Sequence, residues 1–292
     1  MGSRVVLAER IVDLTPVNGL AYNIGGAYVA TATTGSGSGT FTDLLGVQYD
    51  SRGNSPDYIE EGYNTSGAFF YDEQGGTHTS GKWLSEMELT AAINRWWYSF
   101  ALDAHEKQNG RDDWLSVDRI EIYLMYDPNH AHPVDNKGRP AYSGAIETLA
   151  AEPASVLVWS LDGVEDTTIL LDATANPGSG NSEMSLMVPS TLFAAALGVL
   201  GDPAPEDVAI YFYTQMGAYG VDPETGRDYG ASSTAEQWAT YYFDDGSALV
   251  PEPGTYGVLV GGGLLGMVGV RLLGRAAGRR TGAASATGRR CG

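Results

Sequence analysis

Among 292 residues there is one cysteine, Cys291, beside the C-terminus, so no disulfide braces the body of the chain. A core, or bound ions, must hold it together. Basic residues are scarce before residue 251: 11 Lys and Arg stand there against 35 Asp and Glu, a net −24. Such a surface repels a phosphate backbone, which argues against nucleic acid as a partner, while it keeps an exported domain soluble and suits divalent cations. Before residue 251 no Gly-x-Ser-x-Gly elbow, P-loop or dinucleotide fingerprint is present; Gly35 to Gly39 is a glycine-serine loop with no helix after it. Long apolar runs are missing until Thr255, and helical periodicity is nearly missing too.

What the body has instead is short, strand-like stretches separated by Gly, Pro, Asn and Asp. Leu115 to Tyr126 alternates most clearly, with Ile120, Ile122, Leu124 and Tyr126 on one face and Val117, Arg119, Glu121, Tyr123 and Met125 on the other. Asp207 to Gln215 alternates likewise. Strands are also expected within Ala21 to Thr42, at Leu44 to Tyr49, Ala68 to Asp72, Arg95 to Asp103, Met184 to Val188 and Glu236 to Asp244. Ser155 to Leu161 and Thr167 to Leu171 flank Asp162-Gly163, a hairpin-turn dipeptide. Leu84 to Asn94 is ambiguous, and Asp127 to Glu152 reads as irregular. Pro189-Ser190 and Gly198 bracket the one convincing helix, Ser190 to Leu197. The expectation is an all-β fold, an antiparallel β sandwich or jelly-roll-like domain with one short helix.

The C-terminal 42 residues reverse the charge, with 6 basic residues against 1 acidic. Pro251-Glu252-Pro253 leads into an uncharged run from Thr255 to Val270, about 24 Å as a helix, which Arg271 and Leu272-Leu273 extend towards a bilayer-spanning length. Arg271, Arg275, Arg279 and Arg280 follow. By the positive-inside tendency the C-terminus faces the cytoplasm and the acidic body lies outside. The expected organisation is a β-rich domain at 1–246, a linker at 247–254, a transmembrane helix at 255–273 and a basic tail at 274–292.

This order of Pro-Glu-Pro, apolar segment and arginine cluster resembles the PEP-CTERM sorting signal of exported proteins of Gram-negative bacteria. The resemblance covers about thirty residues. It implies exosortase as a partner, a membrane-anchored precursor, and a destination at the cell surface or in the extracellular matrix. Two features depart from it: twelve residues trail Arg280, and Glu9, Arg10 and Asp13 interrupt any leader after Met1. The export leader is therefore expected upstream. The body, over about 60–245, is similar to uncharacterised exported β-rich proteins carrying the same anchor, through Leu115 to Leu124, Leu170-Leu171-Asp172, Asn176 to Phe193, Tyr211-Phe212-Tyr213 and Glu236-Gln237-Trp238. It supplies no catalytic residues.

Ligand signals in the body are sparse. Asp50, Asn54 and Asp57, in a turn-rich octet, space oxygens as a calcium loop does; counted from Asp50 the EF-hand pattern is incomplete, with Ser55 at the sixth position in place of glycine and Glu61 at the twelfth. His130, His132 and Asp135 are the best zinc candidates, flanked by Pro128 and Pro133, with His78 or His105 as a further ligand. Six tryptophans and seventeen tyrosines serve mainly as core, with a carbohydrate-stacking platform, and so an exopolysaccharide partner, as the alternative. Paired acids such as Asp112-Asp113, Glu165-Asp166 and Asp244-Asp245 follow from composition. The expectation is a surface or matrix protein with a structural or adhesive role rather than an enzyme. A calcium- or carbohydrate-binding module is the alternative, and a glycan-active hydrolase a distant third.

Overall fold

The computed structural model describes residues 9–16, 21–32, 42–48, 59–75, 77–92, 95–104, 113–128, 133–175, 182–231 and 235–240. The chain divides into two units, Met1–Leu249 and Val250–Gly292; the second lies wholly outside the described residues. Among the described residues no helix is long and apolar enough to cross a membrane.

The protein is all-β. One sheet holds β1 (Arg10–Asp13), β5 (Glu60–Tyr63), β6 (Lys82–Trp83), β9 (Trp114–Tyr126), β10 (Ser155–Ser160), β11 (Thr167–Asp172) and β13 (Val208–Met216). Its order is β1-β11-β9-β13-β5, with β10 also on β9 and β6 also on β13. The other holds β2 (Ala21–Ile24), β3 (Ala27–Thr31), β4 (Thr42–Gln48), β7 (Leu89–Ala92), β8 (Arg95–Asp103), β12 (Met184–Pro189) and β14 (Ala235–Thr240). That sheet runs β2-β3-β12-β8-β14-β4, with β7 beside β8. Among these pairings only β1 with β11 is parallel.

The two sheets share one core. Phe212 of β13 lies 4.9 Å, centroid to centroid, from Phe100 of β8 and 4.7 Å from Trp238 of β14, and all three rings are fully buried. Burial of rings of this size supplies much of what a disulfide-free domain needs. Helix α2 (Ser190–Val199) sets Phe193 against Tyr98 at 4.2 Å, matching the expected helix. A second helix, α1 (Ile146–Ala150), stands in the stretch expected to be irregular; five residues are too few for periodicity to announce them.

Three further expectations are corrected. The alternation of β9 is broken by a bulge, where Gln215 faces Arg119 but Met216 faces Val117. The extra residue, Asp118, switches the parity, so Val117 joins Ile120, Ile122 and Leu124 in the core. Second, β10 and β11 do not form a hairpin. Both run antiparallel to β9, β10 against Glu121 to Met125 and β11 against Trp114 to Val117, so they form one interrupted path from which Asp162-Gly163 loops out. Third, Ala68 to Asp72 is a series of bends and not a strand. It leads into Glu73, which makes a single bridge with Val47, and the chain then follows the outer edge of β4 through Gln74 N–H to Gly46 O (2.8 Å) and Ser80 N–H to Leu44 O (3.2 Å). Leu84 to Asn94 resolves into a 3-10 turn at Leu84–Glu86 followed by β7.

Candidate functional site

The outward positions of β5, β9 and β13 carry tyrosines and charges in place of the aliphatic residues that point inward. Tyr63, Tyr123, Tyr211 and Tyr213 stand side by side there and are roofed by the segments 64–71 and 133–150. The roof sits close. A Cβ at Gly67 would lie 2.3 Å from Ala141 O and one at Gly81 1.9 Å from Pro140 O, so both positions require glycine. Tyr63 Oη donates to Tyr142 O at 3.0 Å, and Trp83 Nε1 donates to Gly138 O at 2.8 Å.

At one end of this face the roof gives way to a polar network. Arg119 Nε donates to Glu121 Oε1 at 2.9 Å, its Nη1 lies 3.5 Å from Glu147 Oε1, and its guanidinium sits 4.9 Å from the centre of the Tyr213 ring. Tyr123 Oη donates to Glu121 Oε2 at 2.7 Å; Tyr213 Oη and Gln215 Nε2 donate to Glu61 Oε2. Burial, then the neighbouring carboxylates, raises the hydroxyl pKa of Tyr213 and Tyr123. Burial opposes the charge on Arg119, but Glu121 outweighs it and raises the guanidinium pKa. The tyrosines are therefore neutral donors and Arg119 a fixed cation. Beside the network Tyr71 accepts the Ile146 N–H at 3.0 Å and packs edge-on against Phe70 at 4.9 Å; Phe69 and Phe70 are 41% and 56% exposed. The two open rings thus stand beside carboxylates that are already bonded by tyrosine hydroxyls and by one fixed cation.

A second polar group lies at the β9 bulge. Asp118 Oδ2 accepts from Ser116 Oγ at 2.8 Å and from Ala218 N–H at 2.7 Å, and burial pushes its carboxyl up to about 6. Ser116 Oγ in turn accepts the Tyr219 N–H, the Ser116 N–H donates to Tyr229 O at 3.0 Å, and Arg227 lies 3.9 Å above Trp114. These contacts fasten segment 217–230 to the sheet.

The residues singled out in the sequence fare unevenly. Asp50, Asn54 and Asp57, His105, His130 and His132, the motif Pro251, Glu252 and Pro253, and Arg271, Arg275, Arg279 and Arg280 all lie outside the described residues. Asp135 is committed locally: it accepts the N–H groups of Lys137 and Arg139 and holds the Arg139 side chain at 2.7 Å. His78 packs over Gly46, against the edge of β4. Glu165 pairs with Arg10 at 2.7 Å. Among the described residues no group of three or more His, Cys, Asp or Glu is placed to hold a metal ion. Trp83, Trp97, Trp159 and Trp238 are buried, Trp114 is half-buried under Arg227, and Trp96 is 56% exposed. The Arg119 network was not singled out from the sequence. Its one signal was the mixed, tyrosine-bearing face of β9 beside the similar alternation of β13.

No protein family, no curated protein and no solved structure matches the chain.

Proposed function

We propose that the chain is an exported surface or matrix protein with a structural or adhesive role, sorted and processed by an exosortase at its C-terminal signal. The observation that carries this is the tripartite order of Pro251-Glu252-Pro253, the apolar segment from Thr255, and Arg271, Arg275, Arg279 and Arg280. Pro251 and Pro253 lack amide donors and hold the chain extended before the membrane segment at 255–273, where a membrane-embedded protease takes it as an open strand. The residues before it form the cargo, a jelly-roll-like sandwich in this reading. An all-β body with 35 acidic residues and no cysteine before residue 251 suits an exterior destination, where solubility and a self-sufficient core are needed.

A second reading, a carbohydrate-binding surface module, is favoured by one observation: the exposed Phe69 and Phe70 beside the Arg119, Glu121 and Glu147 network. Calcium at Asp50, Asn54 and Asp57 belongs to the same module reading and rests on their spacing.

Replacing Pro251, Glu252 and Pro253 by alanine in an exosortase-bearing host is expected to leave an uncleaved precursor in the membrane fraction. Mature protein in equal yield would remove the sorting reading.

A further inference from the structure

We infer that the Phe70 end of the β5-β9-β13 face binds a polysaccharide carrying free amino groups, an inference that rests on the carbohydrate-binding reading above. The first support is the presentation of the ring. Phe70 is 56% exposed, yet its segment is pinned: Ser66 N–H bonds Pro140 O at 2.9 Å, Tyr71 N–H bonds Glu73 Oε2 at 2.7 Å, and Asp72 N–H bonds Glu61 O at 3.0 Å. An apolar ring held rigidly in water loses little entropy when a flat ligand face covers it.

The second support is charge. Glu61, Glu121 and Glu147 gather at this end around Arg119, the one cation that the described residues pair with them, and Glu147 is 65% exposed. An anionic polymer is repelled. A pyranose unit pairs an apolar C–H face with a rim of hydroxyls, which fits an exposed ring packed on Tyr71 with the Glu147 and Glu61 carboxylates close to that tyrosine, and an ammonium on the sugar adds charge complementarity with Glu147 and a cation for the aromatic face.

The third support concerns the alternative occupant, a basic peptide. A peptide that docks by adding a strand needs a free sheet edge. The β5 edge here is taken, since Glu61 N–H bonds Asp72 Oδ2, Tyr63 N–H bonds Glu73 Oε1 and Glu61 O receives the Asp72 N–H; the patch itself is a ring with a polar rim.

The test titrates the full-length protein in neutral detergent with hexamers of glucosamine, of N-acetylglucosamine and of mannuronate, and with hexalysine. The glucosamine hexamer is expected to bind, with Phe70→Ala weakening it by about tenfold and Glu147→Gln weakening it several-fold while flattening its salt dependence. The acetylated hexamer is expected to bind more weakly, through Phe70 but not Glu147, and the mannuronate hexamer not at all. Both side chains are well exposed, so both variants are expected to keep the parent melting temperature. Three results overturn the inference: no amino-sugar binding at millimolar concentration; binding that is equal in both variants, which marks diffuse attraction to the acidic chain; or hexalysine binding as tightly with the same dependence on the variants, which marks a basic peptide. Loss of this inference with normal processing at Pro251 to Pro253 leaves the sorting reading intact.

Discussion

Glu73 Oε1 accepts the backbone N–H of Tyr63 at 3.2 Å, while its other oxygen accepts that of Tyr71 at 2.7 Å. Tyr63 ends β5 in one sheet, and Glu73 itself bridges to Val47 of β4 in the other. One buried side chain thus joins the edges of the two sheets and fixes the segment presenting Phe69 and Phe70. Burial raises the Glu73 pKa, while the amides of Tyr71 and Tyr63 act against that rise by bonding the carboxylate. Without such a contact the edges of β4 and β5 would be open to pairing with another chain.

Glu73→Ala is expected to cost about 3 kcal/mol, because two amide donors lose their acceptor at a buried site, whereas Glu73→Gln keeps one acceptor oxygen and costs about 1 kcal/mol. Urea unfolding measures both. A wild-type midpoint for Glu73→Ala would show that the carboxylate does not hold the edges.

Much of the framework was readable because β9 and β13 are long enough for alternation to show, β8 is rich in aromatics, and Pro189-Ser190 marks the start of α2. What was not readable was non-local. Nothing near Asp118 announces the bulge, which exists only because β13 pairs with β9. Nothing near Glu73 says that its carboxylate will replace a strand partner for Tyr63 and Tyr71, so Ala68 to Asp72 reads as a strand from its aromatics alone. Asp162-Gly163 has the chemistry of a hairpin, but β9 is long enough to pair with both flanking strands in turn. The outer face of β5, β9 and β13 shows the same division: Arg119, Glu121 and Tyr123 are neighbours by strand period, and their meeting with Glu61, Tyr213 and Glu147 depends on topology.

Calcium is the next test. Asp50, Asn54 and Asp57 fall between β4 and β5, so an ion binding the native state alone would raise the melting temperature in proportion to the logarithm of its concentration above its Kd. The rise is expected for the parent chain and expected to vanish when all three are replaced by alanine. A melting curve unchanged between chelator and millimolar calcium would eliminate this ligand set.

The last prediction concerns Glu183, which is 4% exposed and accepts the Ala104 N–H at 2.7 Å. Burial first, and then Asp103 nearby, pushes its carboxyl from 4.5 up to about 9, so it stays protonated in the fold at neutral pH. The unfolded chain releases that proton near pH 4.5 and the folded chain holds it to about 9, so this group's contribution to stability is full below 4.5 and is lost as pH rises towards 9. Within that window the slope is about 1.4 kcal/mol per pH unit. Asp118, raised to about 6, adds the same sign of slope only below that pH, so from about 6.5 to 8.5 the difference between the parent and a variant at this one position reports Glu183. Glu183→Gln keeps an oxygen for Ala104 and removes the proton. It is expected to flatten the fall of the urea midpoint over this range and to be more stable than the parent at its upper end. Parallel midpoint curves for the two proteins would mean that Glu183 is already ionised in the fold.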